Sequence, residues 1–268
     1  MIYAKSIGIS LLLFVAVIAL QNLAGAWGAS VYGFSSVVYL NNIHYLVDSY
    51  GWKSYGAVIL AYLSGTAFIG IIGTIGYGIY RTAWKRKQQN LGFFMGWLHL
   101  VCYLWVFADI VSGEAMRKGP YFGFNFLLHK YQLSDNLHFV IAGIAILALY
   151  ITGGLSAYRM LRALPSISLL LQKGNKNLTL KLLLHPVGIS VIMLGISYSL
   201  IGDFNLRFMV NLLFVSSAVL VGYLVCERFK DITVLKYRTV GKPLNWIITA
   251  VIAFGLALII FGSGYQFN

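Results

Sequence analysis

The chain has 268 residues, of which 59% are hydrophobic and 10% are charged, and its net charge is +13. With a mean hydropathy of +0.80, this composition lies outside the range of soluble globular proteins and leaves little room for a separate aqueous domain. The cations flank apolar segments instead of forming one basic surface with exposed aromatics. Contact with anionic lipid headgroups therefore explains them better than nucleic acid, which we do not expect as a partner.

Seven apolar stretches run along the chain, near residues 6–26, 56–80, 91–112, 137–158, 182–202, 207–226 and 244–264. Each can supply the roughly 20 residues that a helix needs to cross a bilayer. The sequence therefore predicts an all-α, polytopic integral membrane bundle that forms a single transmembrane domain over residues 1–268. The first stretch also resembles a cleavable signal peptide, but we expect it to be retained as the first helix.

The cationic residues divide unevenly between the two ends of these spans. If the spans alternate in direction, fifteen of the twenty Lys and Arg lie on one side, and only Lys53, Arg117, Lys118, Lys130 and Arg207 lie on the other. By the positive-inside rule the rich side is cytoplasmic. We therefore expect a multi-pass protein of the cell membrane (plasma or inner membrane, or an organellar equivalent), with its N-terminus cytoplasmic and its C-terminus outside.

Two spans carry a histidine on a face rich in small residues. In the third span, Gly92 and Gly96 share a helical face with His99. In the fifth span, a three-four alternation typical of a packed seam starts at His185 and continues through Gly188, Ile192, Gly195 and Ser199. Both histidines are therefore expected to point toward other helices and away from lipid.

Neutral imidazoles beside small residues on facing helices are typical of haem b ligation, so His99 and His185 are candidate axial ligands. Their depths differ: His185 follows Lys181 by about 6 Å of helix and His99 follows Lys87 by about 18 Å, at 1.5 Å per residue. The pair fits one haem if Gln88–Gly92 lies outside the membrane or if the helices tilt. For each histidine singly, a hydrogen bond to a neighbouring helix is the commoner role.

The remaining ionisable candidates lie toward the other side of the membrane. His138 and His44 form a weaker second pair of haem candidates. Asp109 in the third span could serve a proton path or bind a quinone, although an ion pair with Arg117 or Lys118 is the simpler expectation. No two histidines are three or four residues apart, so we expect no metal site.

Other features indicate packing and membrane anchoring more than catalysis. Cys102 and Cys226 fall inside spans, where buried thiols are expected and a disulfide is not. The aromatic connections Val31–Lys53 and Gly113–Asn136 predict short surface or re-entrant helices at headgroup depth. No span is expected to bury a lysine that could form a retinal Schiff base, and no zinc, nucleophile-elbow or phosphate-loop motif is present.

These observations predict a membrane-embedded subunit of a larger complex, surrounded by lipid and by partner membrane subunits. It would hold haem b between spans three and five and exchange electrons with a quinone. Two alternatives stay open. The first is a non-redox structural subunit, and the second is a transporter or channel for a small solute, with a cavity lined by Ser64, Thr74, Asn211 or Ser216.

The haem hypothesis predicts a Soret band and a dithionite-reduced α band in the visible spectrum of detergent-purified protein. His99→Ala and His185→Ala should each abolish both bands, because a haem with two axial ligands loses its coordination when either is removed. Full haem in either single variant would contradict the ligand assignment.

Overall fold

The computed structural model describes residues 2–47, 54–86, 88–115, 134–162, 174, 176–200, 206–226 and 243–267. These residues form seven helices that are long and apolar enough to span a membrane, as the sequence predicts. The helices are α1 (Ile2–Ser30), α2 (Tyr55–Lys85), α3 (Gln89–Ala115), α4 (Asp135–Arg162), α5 (His185–Leu200, after a π-helical turn over Leu180–Leu184), α6 (Leu206–Val225) and α7 (Pro243–Gly262).

The first helix is the centre of the bundle. It packs against α2, α3, α5 and α7, while α3 also packs against α2, α4 and α6. Side-chain contacts of Lys5 with Asn90 and Trp246, and of Ser6 with Leu182, bring the starts of α1, α3, α5 and α7 to one end. We call this the basic end. The opposite end is the sheet end, and α1 is an integral part of both.

A small antiparallel sheet covers the sheet end. It consists of β1 (Ser36–Val38), β2 (Ile43–Tyr45) and β3 (Tyr265–Phe267) in the order β2-β1-β3. The prediction of a surface or re-entrant helix in Val31–Lys53 was therefore wrong over residues 31–47, because β-branched residues flank an Asn-Asn turn that favours a hairpin. The amide of Tyr39 closes this turn by donating to the carbonyl of Asn42 at 2.8 Å. Most of Gly113–Asn136 lies outside the described residues.

A proline inside the fifth span reorganises the helix before it. Pro186 has no N–H to donate to the carbonyl of Leu182, one turn back. The chain widens into the π turn over Leu180–Leu184, where the N–H of His185 donates to the carbonyl of Leu180. The Ser6 hydroxyl of α1 donates to the Leu182 carbonyl at 2.6 Å. A side chain of the central helix thus satisfies the acceptor that the proline leaves without a partner in its own helix.

The face of the fifth span that packs on other helices is not the one that the sequence predicts. His185 is exposed, Ile192 is 62% exposed, and a Cβ added at Gly188 or Gly195 would meet open space. The buried face carries Pro186, Val187, Ser190, Leu194 and Ser197. The prediction that the His185 face points toward protein was wrong, because the three-four spacing identifies a face but not what covers it. Ser190, bonded to Ser10 at 3.0 Å, directs the opposite face to α1.

Glycines set the closest approach between α4 and α6. A Cβ at Gly153 would meet the carbonyl oxygen of Ala218, and a Cβ at Gly222 would meet that of Gly153. In α2, Gly73 packs against α3 while Gly70 faces open space. The glycines of the second span therefore serve close helix packing at some positions only, which is the use that small residues have in membrane bundles.

Replacing Ser6 by Ala should lower the free energy of unfolding by about 1–3 kcal/mol, because the buried Leu182 carbonyl loses its donor. The loss should be smaller in a Pro186→Ala background, where residue 186 regains an N–H that can reach this carbonyl once the π turn relaxes. Unfolding in detergent, followed by circular dichroism, measures both steps. Ser216→Ala is the control, because that hydroxyl donates within its own helix, to Leu212. Equal losses in both backgrounds would contradict the assignment.

Candidate functional site

The Asp109 carboxylate is the centre of a buried polar cluster near the sheet end. Asp109 is 6% exposed on α3, and the Nη2 group of Arg207 on α6 donates to its Oδ1 at 2.5 Å. Thr66 of α2 and Gln21 of α1 donate to its Oδ2, each at 3.3 Å. Asn211 of α6 donates to Oδ1 at 3.4 Å. One carboxylate therefore joins four helices, α1, α2, α3 and α6.

The partner of Asp109 differs from the one expected. The simpler sequence hypothesis paired it with Arg117 or Lys118, both of which lie outside the described residues. In the structure it pairs with Arg207, 98 positions along the chain. Arg207 lies in the first turn of α6, at the sheet end and level with Asp109 on α3. Buried charges inside an apolar bundle are stable only when they are paired.

A cavity of about 100 Å³ adjoins this cluster and is partly open to the outside of the protein. Its walls come from α1, the β1–β2 hairpin, α2, α3 and α6. Polar side chains share the lining with aromatic ones; they include Gln21, Asn22, Asn41, Thr66, Asp109, Arg207 and Asn211, with Tyr45, Tyr62, Trp105 and Phe208. This mixture of apolar walls and a few convergent polar groups is typical of small-molecule sites.

Two hydrogen-bonding side chains hold the hairpin over the cavity. The Asn22 amide donates to the carbonyls of Tyr39 and Leu40, at 2.9 and 3.1 Å. The Tyr45 hydroxyl donates to the carbonyl of Ala61 at 2.8 Å. Burial raises the pKa of the Tyr45 phenol, so it stays a neutral donor. The cover is thus attached to both α1 and α2.

A buried acceptor from α6 in the cavity wall has no protein partner among the residues that the structure describes. The Oδ1 atom of Asn211 is buried and accepts no hydrogen bond, while the residue as a whole is 3% exposed. Buried acceptors are almost always satisfied by protein, water or ligand. Asn211 Oδ1 is therefore open to a hydrogen bond from a water molecule or from a bound solute.

His99 faces other helices, as predicted. Its Nδ1 lies 2.9 Å from the carbonyl of Gly73, so Nδ1 carries the proton and donates. The imidazole lies between Tyr77 and Tyr103, with ring centroids 4.9 and 4.6 Å away. This hydrogen bond leaves Nε2 as the atom that could accept a proton or bind iron.

The other histidines lie on separate surfaces. His185 is exposed and its Nδ1 is 3.5 Å from the Tyr3 hydroxyl of α1, whereas His99 packs against α2, so the structure does not bring these two together. His44 of β2 packs against Tyr39. His138 of α4 pairs with Glu114 of α3 at 3.0 Å, and no contact joins it to His44 within the described ranges. Haem ligation by either pair stays a prediction.

The residues proposed for a solute cavity are only partly in this site. Asn211 lines it, whereas Ser64, Thr74 and Ser216 donate to backbone carbonyls and do not. Gln21, Asn22 and Thr66 were not predicted as site residues. Arg207 was predicted only as one of the five cations on the sparsely charged side. The signal available was polar side chains within apolar spans, which are expensive there unless they have partners.

The buried core also contains both cysteines and a lysine. Cys102 and Cys226 are buried free thiols, as predicted. The expectation that no span buries a lysine was wrong, because α1 begins at Ile2 and Lys5 is 3% exposed. Its ammonium group donates to Asn90 at 2.7 Å and lies over the rings of Phe93 and Trp246.

No known family model, curated protein or solved structure matches this chain.

Replacing Asp109 by Asn should destabilise the fold by about 3–5 kcal/mol, because the Arg207 charge is left buried and unpaired. The double variant Asp109→Asn/Arg207→Gln should lose much less than the sum of its single changes, because it removes both charges. Unfolding in detergent measures the cycle, with Lys85→Gln as an exposed-cation control. Additive losses would show that the pair is not coupled.

Proposed function

We propose that this protein binds a small polar solute of no net charge in the sheet-end cavity, as the recognition step of a membrane transporter or channel. The main support for this proposal is the buried Oδ1 of Asn211, an acceptor without a protein partner in the described ranges. It lies in the wall of a cavity whose neighbouring charges, Asp109 and Arg207, neutralise each other.

The charge balance of the site favours a neutral ligand. Asp109 and Arg207 compensate each other at 2.5 Å, so the cavity offers no excess charge to an incoming ion. An ion would lose its hydration without gaining an opposite charge, a penalty of several kcal/mol that a net-neutral solute avoids. A zwitterion meets the same condition, because its two charges can face the two members of the pair.

The chemistry of the walls defines what such a solute must carry. It needs at least one N–H or O–H group to donate to Asn211 Oδ1. Its carbon atoms can pack on Trp105 and Phe208, whose rings meet edge to face at 5.7 Å. A volume of about 100 Å³ is that of several water molecules or of a solute with a few non-hydrogen atoms. Urea, glycerol and glycine all fit these conditions.

Access would come from the sheet end. The positive-inside rule assigns the basic end to the cytoplasm, so the cavity would open toward the opposite side of the membrane. The hairpin above the cavity is attached through Asn22 and Tyr45. The solute would have to enter beside this hairpin, or the hairpin would have to move to admit it. A purely structural subunit would need no such space.

A second candidate is the haem b electron-transfer role, which rests on His99. Its Nδ1 donates to the Gly73 carbonyl, an arrangement typical of metal-binding histidines, in which a backbone acceptor orients the ring. The visible spectrum tests this role independently of the cavity.

Thermal unfolding of detergent-purified protein, titrated with urea, glycerol and glycine, tests the proposal. A solute that binds the folded state should raise the stability of the wild type relative to Asn211→Leu by about 1.4 kcal/mol at ten times its dissociation constant, a comparison that cancels the general effects of urea and glycerol on unfolding. Asn211→Leu keeps the side-chain volume but removes the acceptor, so the stabilisation should disappear. Ser216→Ala, on the same helix but outside the cavity, should respond like the wild type.

Flux of the solute that binds is then measured in proteoliposomes by stopped-flow light scattering. Wild-type vesicles should equilibrate faster than protein-free vesicles, and Asn211→Leu vesicles should not. If none of the three compounds stabilises the wild type, or if Asn211→Leu responds equally, the cavity is not the solute site and the structural-subunit alternative is favoured.

A further inference from the structure

A cluster of arginines on aromatic rings lies at the basic end, far from the cavity. The Arg162 guanidinium of α4 lies 3.5 Å from the ring centroid of Trp84 on α2. The guanidinium groups of Arg159 and Arg81 approach the Tyr77 ring at 5.0 and 5.9 Å. Because α2 and α4 both pack on α3, these side chains meet across the groove between α2 and α4. We call this set the arginine groove.

The cations of the arginine groove are not neutralised by the part of the chain that the structure describes. None of Arg81, Arg159 and Arg162 forms an ion pair with a carboxylate there, and the Nε atom of Arg162 is buried without a hydrogen-bond partner. The acidic residues that the structure describes, Asp109, Glu114 and Asp135, lie in α3 and α4 toward the sheet end. The other four acidic residues of the chain lie outside the described residues.

An amphipathic surface continues from the arginine groove toward the middle of the bundle. Leu155 and Ile151 lie four and eight residues before Arg159 on the same face of α4, and they are 43% and 52% exposed. The groove thus combines cations at its end with an apolar wall along α4.

This combination matches one class of ligand. Guanidinium groups bind phosphate oxygens in bidentate fashion, and aromatic rings hold them in place at headgroup depth. Basic pockets between transmembrane helices on the cytoplasmic side bind anionic lipid headgroups. A free phosphate would use the arginines alone, whereas a phospholipid would also cover Leu155 and Ile151 of α4.

We propose that the arginine groove is a binding site for one anionic phospholipid, with its phosphate held by Arg159 and Arg162 and its acyl chains along α4. Arg81 attracts the headgroup from the rim. The inference is independent of the solute cavity and needs only that the helices span a bilayer.

Native mass spectrometry of the detergent-purified full chain tests the site with dioleoyl phosphatidylglycerol and, as the neutral lipid, dioleoyl phosphatidylcholine. The wild type should retain one phosphatidylglycerol in preference to phosphatidylcholine. Arg159→Gln/Arg162→Gln should weaken that binding about thirty-fold, since each cation near an anionic membrane surface contributes about a factor of five. Lys176→Gln/Lys181→Gln removes the same charge from the segment that leads into α5 at the same end and should bind like the wild type.

Three results would overturn the proposal. They are equal retention of the two lipids, an equal loss in the lysine control, or complete displacement of phosphatidylglycerol by an equal concentration of inorganic phosphate, which would assign the groove to a free anion. If the double arginine variant fails to fold, Arg81→Gln replaces it, because Arg81 is exposed. This variant should weaken phosphatidylglycerol binding about five-fold, and an unchanged affinity would also overturn the proposal.

Discussion

The bundle depends on one requirement, that every charged or strongly polar group inside an apolar environment must find a partner. Asp109 meets it through donors from α1, α2 and α6. Each donor comes from a different part of the chain, so the carboxylate both fixes the relative positions of four helices and creates the polar wall of the cavity. The function proposed here uses an acceptor in that wall which the described protein does not satisfy, Asn211 Oδ1.

The central helix meets the same requirement along its whole length. Near the basic end, Lys5 and Ser6 donate to Asn90 and to the Leu182 carbonyl. Near the sheet end, Gln21 and Asn22 donate to the Asp109 cluster and to the hairpin. Between them α1 is almost entirely apolar and buried. Its neighbours are therefore aligned at both ends by directional bonds and held in the middle by packing without directional preference.

Hydropathy was sufficient to predict seven helices, because crossing an apolar layer constrains length and composition locally. The direction of a helical face was harder to predict. The small-residue face of α3 does point His99 at α2, while the similar face of α5 is exposed, because Ser190 bonds to Ser10 on the other side. The pairing of Asp109 with Arg207 could not be predicted from their spacing in the sequence, because they are 98 positions apart. Only the packing of the helices determines that the end of α3 meets the start of α6. The hairpin was missed because aromatic loop residues were assigned to surface helices, although the Asn-Asn turn was visible.

Strand β3, which follows α7, pairs with β1, which follows α1, and α7 packs on α1. Segments far apart in the chain must therefore meet before the sheet and the surroundings of the central helix are complete. Until α7 and β3 have left the ribosome, α1 lacks one of its neighbours and β1 lacks one of its two strand partners. The hairpin and α6 are made earlier, so the polar cluster can assemble before the last helix docks.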